Sequence, residues 1–97
     1  MNEKLISEQI DLLIEGMTHL TSREDYYNFF EDILTVAELR SLAVRFRTAK
    51  LLFEGRTYNE VAALTGASST TISRISRALS YGADGYNTVL RRMEVKN

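Results

Sequence analysis

Apolar residues in this chain recur at three- and four-residue spacings almost throughout, and nowhere alternate with polar ones in the period of two that a strand requires. Proline is absent, so no helix is interrupted by a missing N–H. The pattern predicts an all-α fold of six helices. The first spans about Glu3 to Leu20, with Leu5, Ile6, Ile10, Leu13, Ile14, Met17 and Leu20 as its stripe. The second, about Ser22 to Leu34, carries Tyr26, Tyr27, Phe29, Phe30, Ile33 and Leu34, a heavy apolar load for a short helix. The third, Val36 to Glu54, is expected to bury Leu39, Leu42, Ala43, Phe46, Ala49, Leu52 and Phe53 and to stop at Gly55. Two further helices, Tyr58 to Leu64 and Ser68 to Leu79, flank the turn Thr65-Gly66-Ala67. A last one runs from Asp84 as its cap to Val95, with Tyr86, Val89, Leu90 and Met93 on its apolar side. Three threonine–glutamate capping boxes mark helix starts: Thr21/Glu24, Thr35/Glu38 and Thr57/Glu60.

The central pair of short helices has the residue types of a helix-turn-helix. Such a unit needs a small residue on its first helix where the second crosses, a residue tolerant of positive φ in the turn, and aliphatic residues facing back from the second helix. Ala62, Gly66, and Ile72 with Ile75 stand at those places, supported by Val61 and Ala67. The outward face of the second helix then reads Ser68, Ser69, Thr70, Thr71, Ser73, Arg74 and Arg77, with no acid. Hydroxyls and helix-start N–H groups bind phosphate oxygens, and an arginine fork matches guanine O6 and N7. These residues are the candidate DNA-binding face, with Arg47, Lys50 and Arg56 as possible phosphate contacts. The plainer alternative is that the hydroxyls cap the helix, the arginines are a solvated face and the helical pair only packs the core.

Charge sharpens this reading. The net charge of −1 hides a segregation: residues 1 to 39 hold nine acids against Lys4 and Arg23, whereas residues 40 to 80 hold seven basic residues against Glu54 and Glu60. An acidic scaffold with a basic reading head is the expected arrangement.

At 97 residues the chain reads as a single domain: residues 1–55 as a helical dimerisation core, 57–79 as the helix-turn-helix and 83–97 as a C-terminal helix. A domain this small buries too little surface to hide so many apolar stripes, which predicts a homodimer. With no cysteine, disulfides and thiolate metal sites are excluded. The acids Glu8, Asp11 and Glu15 break the first apolar stretch, which speaks against a signal peptide or a membrane span. A cytoplasmic, nucleoid-associated protein without cofactor or metal is expected. Nothing reads as an enzyme: there is no glycine-rich phosphate loop and no paired-carboxylate arrangement in an apolar setting, and the one histidine, His19, fits a structural place at a helix end.

Leu34-Thr35 followed by Glu38, Leu42, Arg45 and Arg47, then Leu51-Leu52 and Gly55, then Gly66-Ala67 with Thr71-Ile72-Ser73-Arg74, resembles the Trp repressor family of bacterial operon repressors. The whole chain resembles the YerC/YecD branch of that superfamily. The resemblance implies a Trp-repressor-like six-helix fold and an intertwined homodimer whose first three helices interlock with those of its partner. It also implies a ligand between two arginines, at positions matching Arg45 and Arg74, with Thr35 near the ligand's polar end: a possible effector pocket. Two departures matter there. Ile75 stands where the family has a glycine and Ala78 where it has a serine, and an isoleucine fills the room an indole needs, which argues against tryptophan as co-repressor. Basic positions on the family's first reading helix correspond to Asn59 and Ala62.

Three functions follow as expectations. The first is a transcriptional regulator, in its simplest form a repressor, binding a palindromic operator in double-stranded DNA. The second is a helical protein-interaction module derived from a DNA-binding fold, and the third a regulator gated by a small ligand other than tryptophan.

Overall fold

A computed structural model describes residues 7–94, all of whose regular structure is helical: α1 (Glu8–Met17), α2 (Arg23–Ile33), α3 (Val36–Phe53), α4 (Tyr58–Thr65), α5 (Ser69–Tyr81) and α6 (Gly85–Glu94). The expected helix start at Glu3, the stripe residues Leu5 and Ile6, and the end at Val95 lie outside the described residues. Two compact units divide the chain, one ending at Leu39 and the other beginning at Arg40. The charge segregation changes sign at the same place.

In the first unit, the described part of α1 starts at Glu8 because the Ser7 hydroxyl accepts from the Ile10 N–H at 3.1 Å. It ends earlier than expected, at Met17 with Thr18 as its cap. The start of α2 is shifted from the expected box by one residue. Ser22 caps it and accepts from the Asp25 N–H at 3.0 Å, while Asp25 accepts from the N–H groups of Ser22 and Thr21. The expected Thr35/Glu38 box is present, with Glu38 N–H to the Thr35 hydroxyl at 3.1 Å and Thr35 N–H to the Glu38 carboxylate at 2.8 Å. Neither α1 nor α2 has a buried residue. Leu12 is 73% exposed and Tyr27 67%, and Ile14, Tyr26, Ile33 and Val36 are exposed too. Within α2, Tyr26 and Phe30 meet edge to face at 6.2 Å between ring centres.

The second unit holds the core. Ala49 of α3, Ile75 of α5 and Leu90 of α6 are buried together, flanked by Phe46, Leu52, Phe53, Leu79 and Tyr86. Leu42 and Ala43, expected inside, are exposed. Ala49 is buried as expected, and Thr48 beside it is buried as well. The helix closes as expected at Gly55, whose φ of +90° lets its N–H reach the Leu52 carbonyl while the Arg56 N–H reaches Leu51, both at 3.0 Å. This pair of bonds satisfies carbonyls that the helix end would otherwise leave bare. At the other end of the unit α6 begins after Asp84, which has a left-handed φ of 67°. The Asp84 backbone carbonyl accepts from Thr88, and its carboxylate accepts from the Asn87 side chain at 2.9 Å rather than from a helix-start N–H.

Candidate nucleic-acid interface

The reading unit is built from its two helix starts and the turn between them. Thr57 and Glu60 form the expected reciprocal box at the start of α4: the Thr57 N–H donates to Glu60 at 3.0 Å and the Glu60 N–H to the Thr57 hydroxyl at 3.2 Å. The Thr57 backbone N–H most strongly, then the Thr57 side chain, and least of all Arg56 hold the Glu60 carboxyl below the usual carboxylate range. The turn then needs one left-handed residue, and Gly66 adopts φ 73° with its N–H on the Ala62 carbonyl at 2.9 Å. Thr65 adds a clasp that the sequence reading missed. Its hydroxyl donates to the Val61 carbonyl at 2.8 Å and accepts from the Ala67 N–H at 3.1 Å, fixing the chain on both sides of the glycine. The signal for it was a threonine two residues before a backbone N–H that has to turn.

α4 and α5 pack on each other. Val61 is fully buried on α4, as are Ile72 and, to within 5%, Ile75 on α5. Two expectations change here. Ala62 is exposed, because Val61, one residue and about 100° earlier on the helix, takes the inward place. Ile75 belongs to the cluster with Ala49 and Leu90, so its side chain joins α5 to α3 and α6.

Five of the seven residues of the candidate DNA face come together. Ser69, Thr70, Ser73, Arg74 and Arg77 line one open concavity of about 490 Å³, and the sixth wall is Tyr58 at the start of α4. No acid lines it, and among the described residues neither Arg74 nor Arg77 takes part in a salt bridge. Sequence reasoning did not single out Tyr58. Ser68 and Thr71 stand apart from this surface: Ser68 is the cap of α5, accepting from the Thr71 N–H and donating to the Thr71 hydroxyl, both at 3.1 Å. For these two the plain capping reading describes the geometry.

The three possible phosphate contacts all have partners within the chain. Arg47 donates to the Leu64 carbonyl at 3.0 Å, Lys50 pairs with Glu54, and Arg56 pairs with Glu60 at 3.3 Å. All three remain exposed. Of the possible effector residues, Arg45 and Arg74 line one cleft of about 250 Å³ with Thr71, Ile75, Ala78 and Tyr86. Thr35 lies in the other unit, where its hydroxyl serves the cap of α3. His19 contacts Glu15 at 3.0 Å on the surface. Among the described residues no three potential metal ligands cluster, and no helix is long and apolar enough to cross a membrane.

Among the described residues, six helices that include a helix-turn-helix with an acid-free outer face define the class of protein. The comparisons agree with it. The family model for the Trp repressor protein matches residues 8–94. The uncharacterized protein YerC of Bacillus subtilis (strain 168) is 41% identical over 92 residues, covering 95% of this chain and 88% of that protein. Two solved structures superpose over nearly all of both chains. A TrpR-like protein from Eubacterium eligens ATCC 27750 has a TM-score of 0.89 at 43% identity, covering 99% of each chain. A Trp repressor-type protein from Staphylococcus aureus has a TM-score of 0.90 at 40% identity, covering 100% of this chain and 98% of that one. The chain belongs to the Trp repressor family.

Proposed function

We propose that this protein is a homodimeric, sequence-specific DNA-binding regulator of transcription, acting in the cytoplasm at the nucleoid. It lays α5 in the major groove of a palindromic operator and represses by occluding it. The observation that carries the reading is the acid-free concavity in which Arg74 and Arg77 stand, among the described residues, without salt-bridge partners beside Ser69, Thr70 and Ser73. Unpaired guanidiniums next to short hydroxyls suit a surface that meets phosphates and base edges together. Family membership supports the same reading.

The dimer is supported by the first unit, which has no buried residue in its two helices while Leu12, Tyr27 and Val36 are each more than two-thirds exposed. An apolar face of that kind is stabilised by being covered, and a second copy is the cover this reading assigns. Two reading helices related by a two-fold axis then address half-sites about 34 Å apart, roughly one turn of duplex.

The test is selection from a randomised duplex pool at about 100 mM salt, where non-specific phosphate contacts are largely screened. Enrichment of a palindrome with half-sites near one helical turn is the expected result; an unenriched pool would overturn the reading. A second, compatible reading adds a small-molecule effector. Arg74 lines both the DNA-facing concavity and the cleft it shares with Arg45, so a carboxylate held between the two arginines would alter how Arg74 meets DNA. Ile75 is buried at that cleft, which leaves tryptophan a poor fit. A change in operator affinity across a panel of small carboxylates is the expected signature.

A further inference from the structure

The geometry points to Tyr58 as a backbone-positioning residue of the interface: its phenolic hydroxyl donates to a DNA phosphate flanking the bases that α5 meets. The inference rests on the DNA-binding reading above and adds to it a residue outside the face read from sequence.

Three observations carry it. Tyr58 closes the concavity formed by Ser69, Thr70, Ser73, Arg74 and Arg77, yet it belongs to the first helix of the unit, the one that crosses the phosphate backbone when the second lies in the groove. Its side chain is half-exposed, at 49%, and the hydrogen bonds of this helix start run through Thr57 and Glu60, leaving the Tyr58 hydroxyl out of the cap. Finally, α4 contains no cation of its own, and Arg56 just before it is held by Glu60. Along the helix nearest the backbone, the long side chain that ends in a donor beside the concavity is therefore a neutral one. A phenol fits the task because its O–H donor sits at the end of a rigid ring, and a charged acceptor strengthens the bond.

A neutral donor leaves a signature unlike that of an arginine. Binding of the parent chain and of Tyr58→Phe is measured on the selected duplex and on an unrelated duplex of equal length across a salt series. The ring is kept in Tyr58→Phe, so helix content and melting temperature are expected to match the parent. Affinity is expected to fall about tenfold on both duplexes, the loss of one hydrogen bond to a charged group, with the salt slope unchanged because no counterion-releasing charge has been removed. A scan of single methylphosphonate substitutions is expected to find one phosphate per half-site whose neutralisation weakens the parent but not Tyr58→Phe. Equal affinity of the two proteins on every duplex would overturn the inference while leaving the DNA reading intact, as would a loss confined to the selected sequence. If the parent binds no duplex at all, the DNA reading fails and takes this inference with it.

Discussion

The Arg47 guanidinium donates to the Leu64 carbonyl oxygen at 3.0 Å, joining the middle of α3 to the last turn of α4. Carbonyls in the last turn of a helix have no partner within it, and they form its negative end, so a guanidinium there satisfies both needs at once. An arginine that reads from sequence as a possible phosphate contact thus positions the reading unit. Arg47→Ala is expected to lower unfolding free energy by about 1 kcal/mol, the net worth of one such bond, measured by urea titration. The salt slope of DNA binding is expected to stay unchanged; a fall of about one unit would return Arg47 to the phosphate contacts.

Thr48 is fully buried on α3, and among the described residues its hydroxyl has no hydrogen-bond partner. Val has nearly the same shape without the hydroxyl. Thr48→Val is expected to be neutral to stabilising, by up to about 1 kcal/mol, because an unsatisfied buried donor is removed and no contact is lost. Destabilisation in thermal unfolding would mean that this hydroxyl bonds in solution.

Two glycines that both close helices are expected to respond differently to alanine. At Gly82 an added Cβ would lie 2.5 Å from the Ala78 carbonyl oxygen and 2.9 Å from its Cα, both rigid backbone atoms, so the end of α5 has to shift. Gly82→Ala is expected to cost about 2–3 kcal/mol. At Gly66 an added Cβ meets open space, but φ is +73°, and the expected cost is the roughly 1–2 kcal/mol of a left-handed non-glycine residue. Chemical denaturation of the two variants side by side checks the order.

Acid is expected to loosen the helix starts. The carboxyls of Asp25, Glu38 and Glu60 are all held below their ordinary range, chiefly by the backbone N–H groups of Thr21, Thr35 and Thr57 respectively. A carboxyl whose folded pKa is depressed contributes its stability in full above its unfolded pKa, roughly pH 4, and loses it as pH falls through the lower folded value. Urea midpoints are therefore expected to be flat near neutrality and to fall below about pH 4.5. Glu60→Gln keeps a capping side chain without the titrating proton, so it is expected to flatten part of that acid limb.

Leu12→Glu tests the cover over the first unit. Leu12 is 73% exposed on α1, so within a single chain the substitution removes almost no burial. If a second copy covers this face, a buried unpaired carboxylate results, and sedimentation is expected to show a dimer for the parent and loss of the dimer for the variant. A monomeric parent would overturn the proposed assembly.

Much of this was legible in the sequence because it depends on local spacing. The Thr35/Glu38 and Thr57/Glu60 boxes, the glycine stops at positions 55 and 66, and the face running from Ser69 to Arg77 each follow from residue types a fixed number of positions apart. The start of α2 slipped because Thr21-Ser22 followed by Glu24-Asp25 offers two overlapping boxes, and Asp25 accepts from both N–H groups of the pair. What spacing cannot fix is which neighbour a face meets. Ile75 has the right period for packing against α4, yet it joins Ala49 and Leu90; Leu42 has the right period for the core, yet it is exposed. Tyr58 was missed for the same reason: its place beside Ser73 and Arg77 is set by the crossing of two helices and by no spacing along either.

That α4 holds no cation has a consequence for how the proposed regulator finds its site. Sliding along arbitrary DNA depends on cations that hold the phosphates wherever the protein lands. In the proposed complex, with Arg56 paired to Glu60 and no cation within α4 itself, the grip on the duplex comes mainly from Arg74 and Arg77, on the helix that must also fit the groove. On the DNA-binding reading, residence on non-cognate sequence is brief. The search then proceeds by frequent release and re-encounter, so occupancy of an operator depends on the concentration of free protein more than on how much DNA surrounds it.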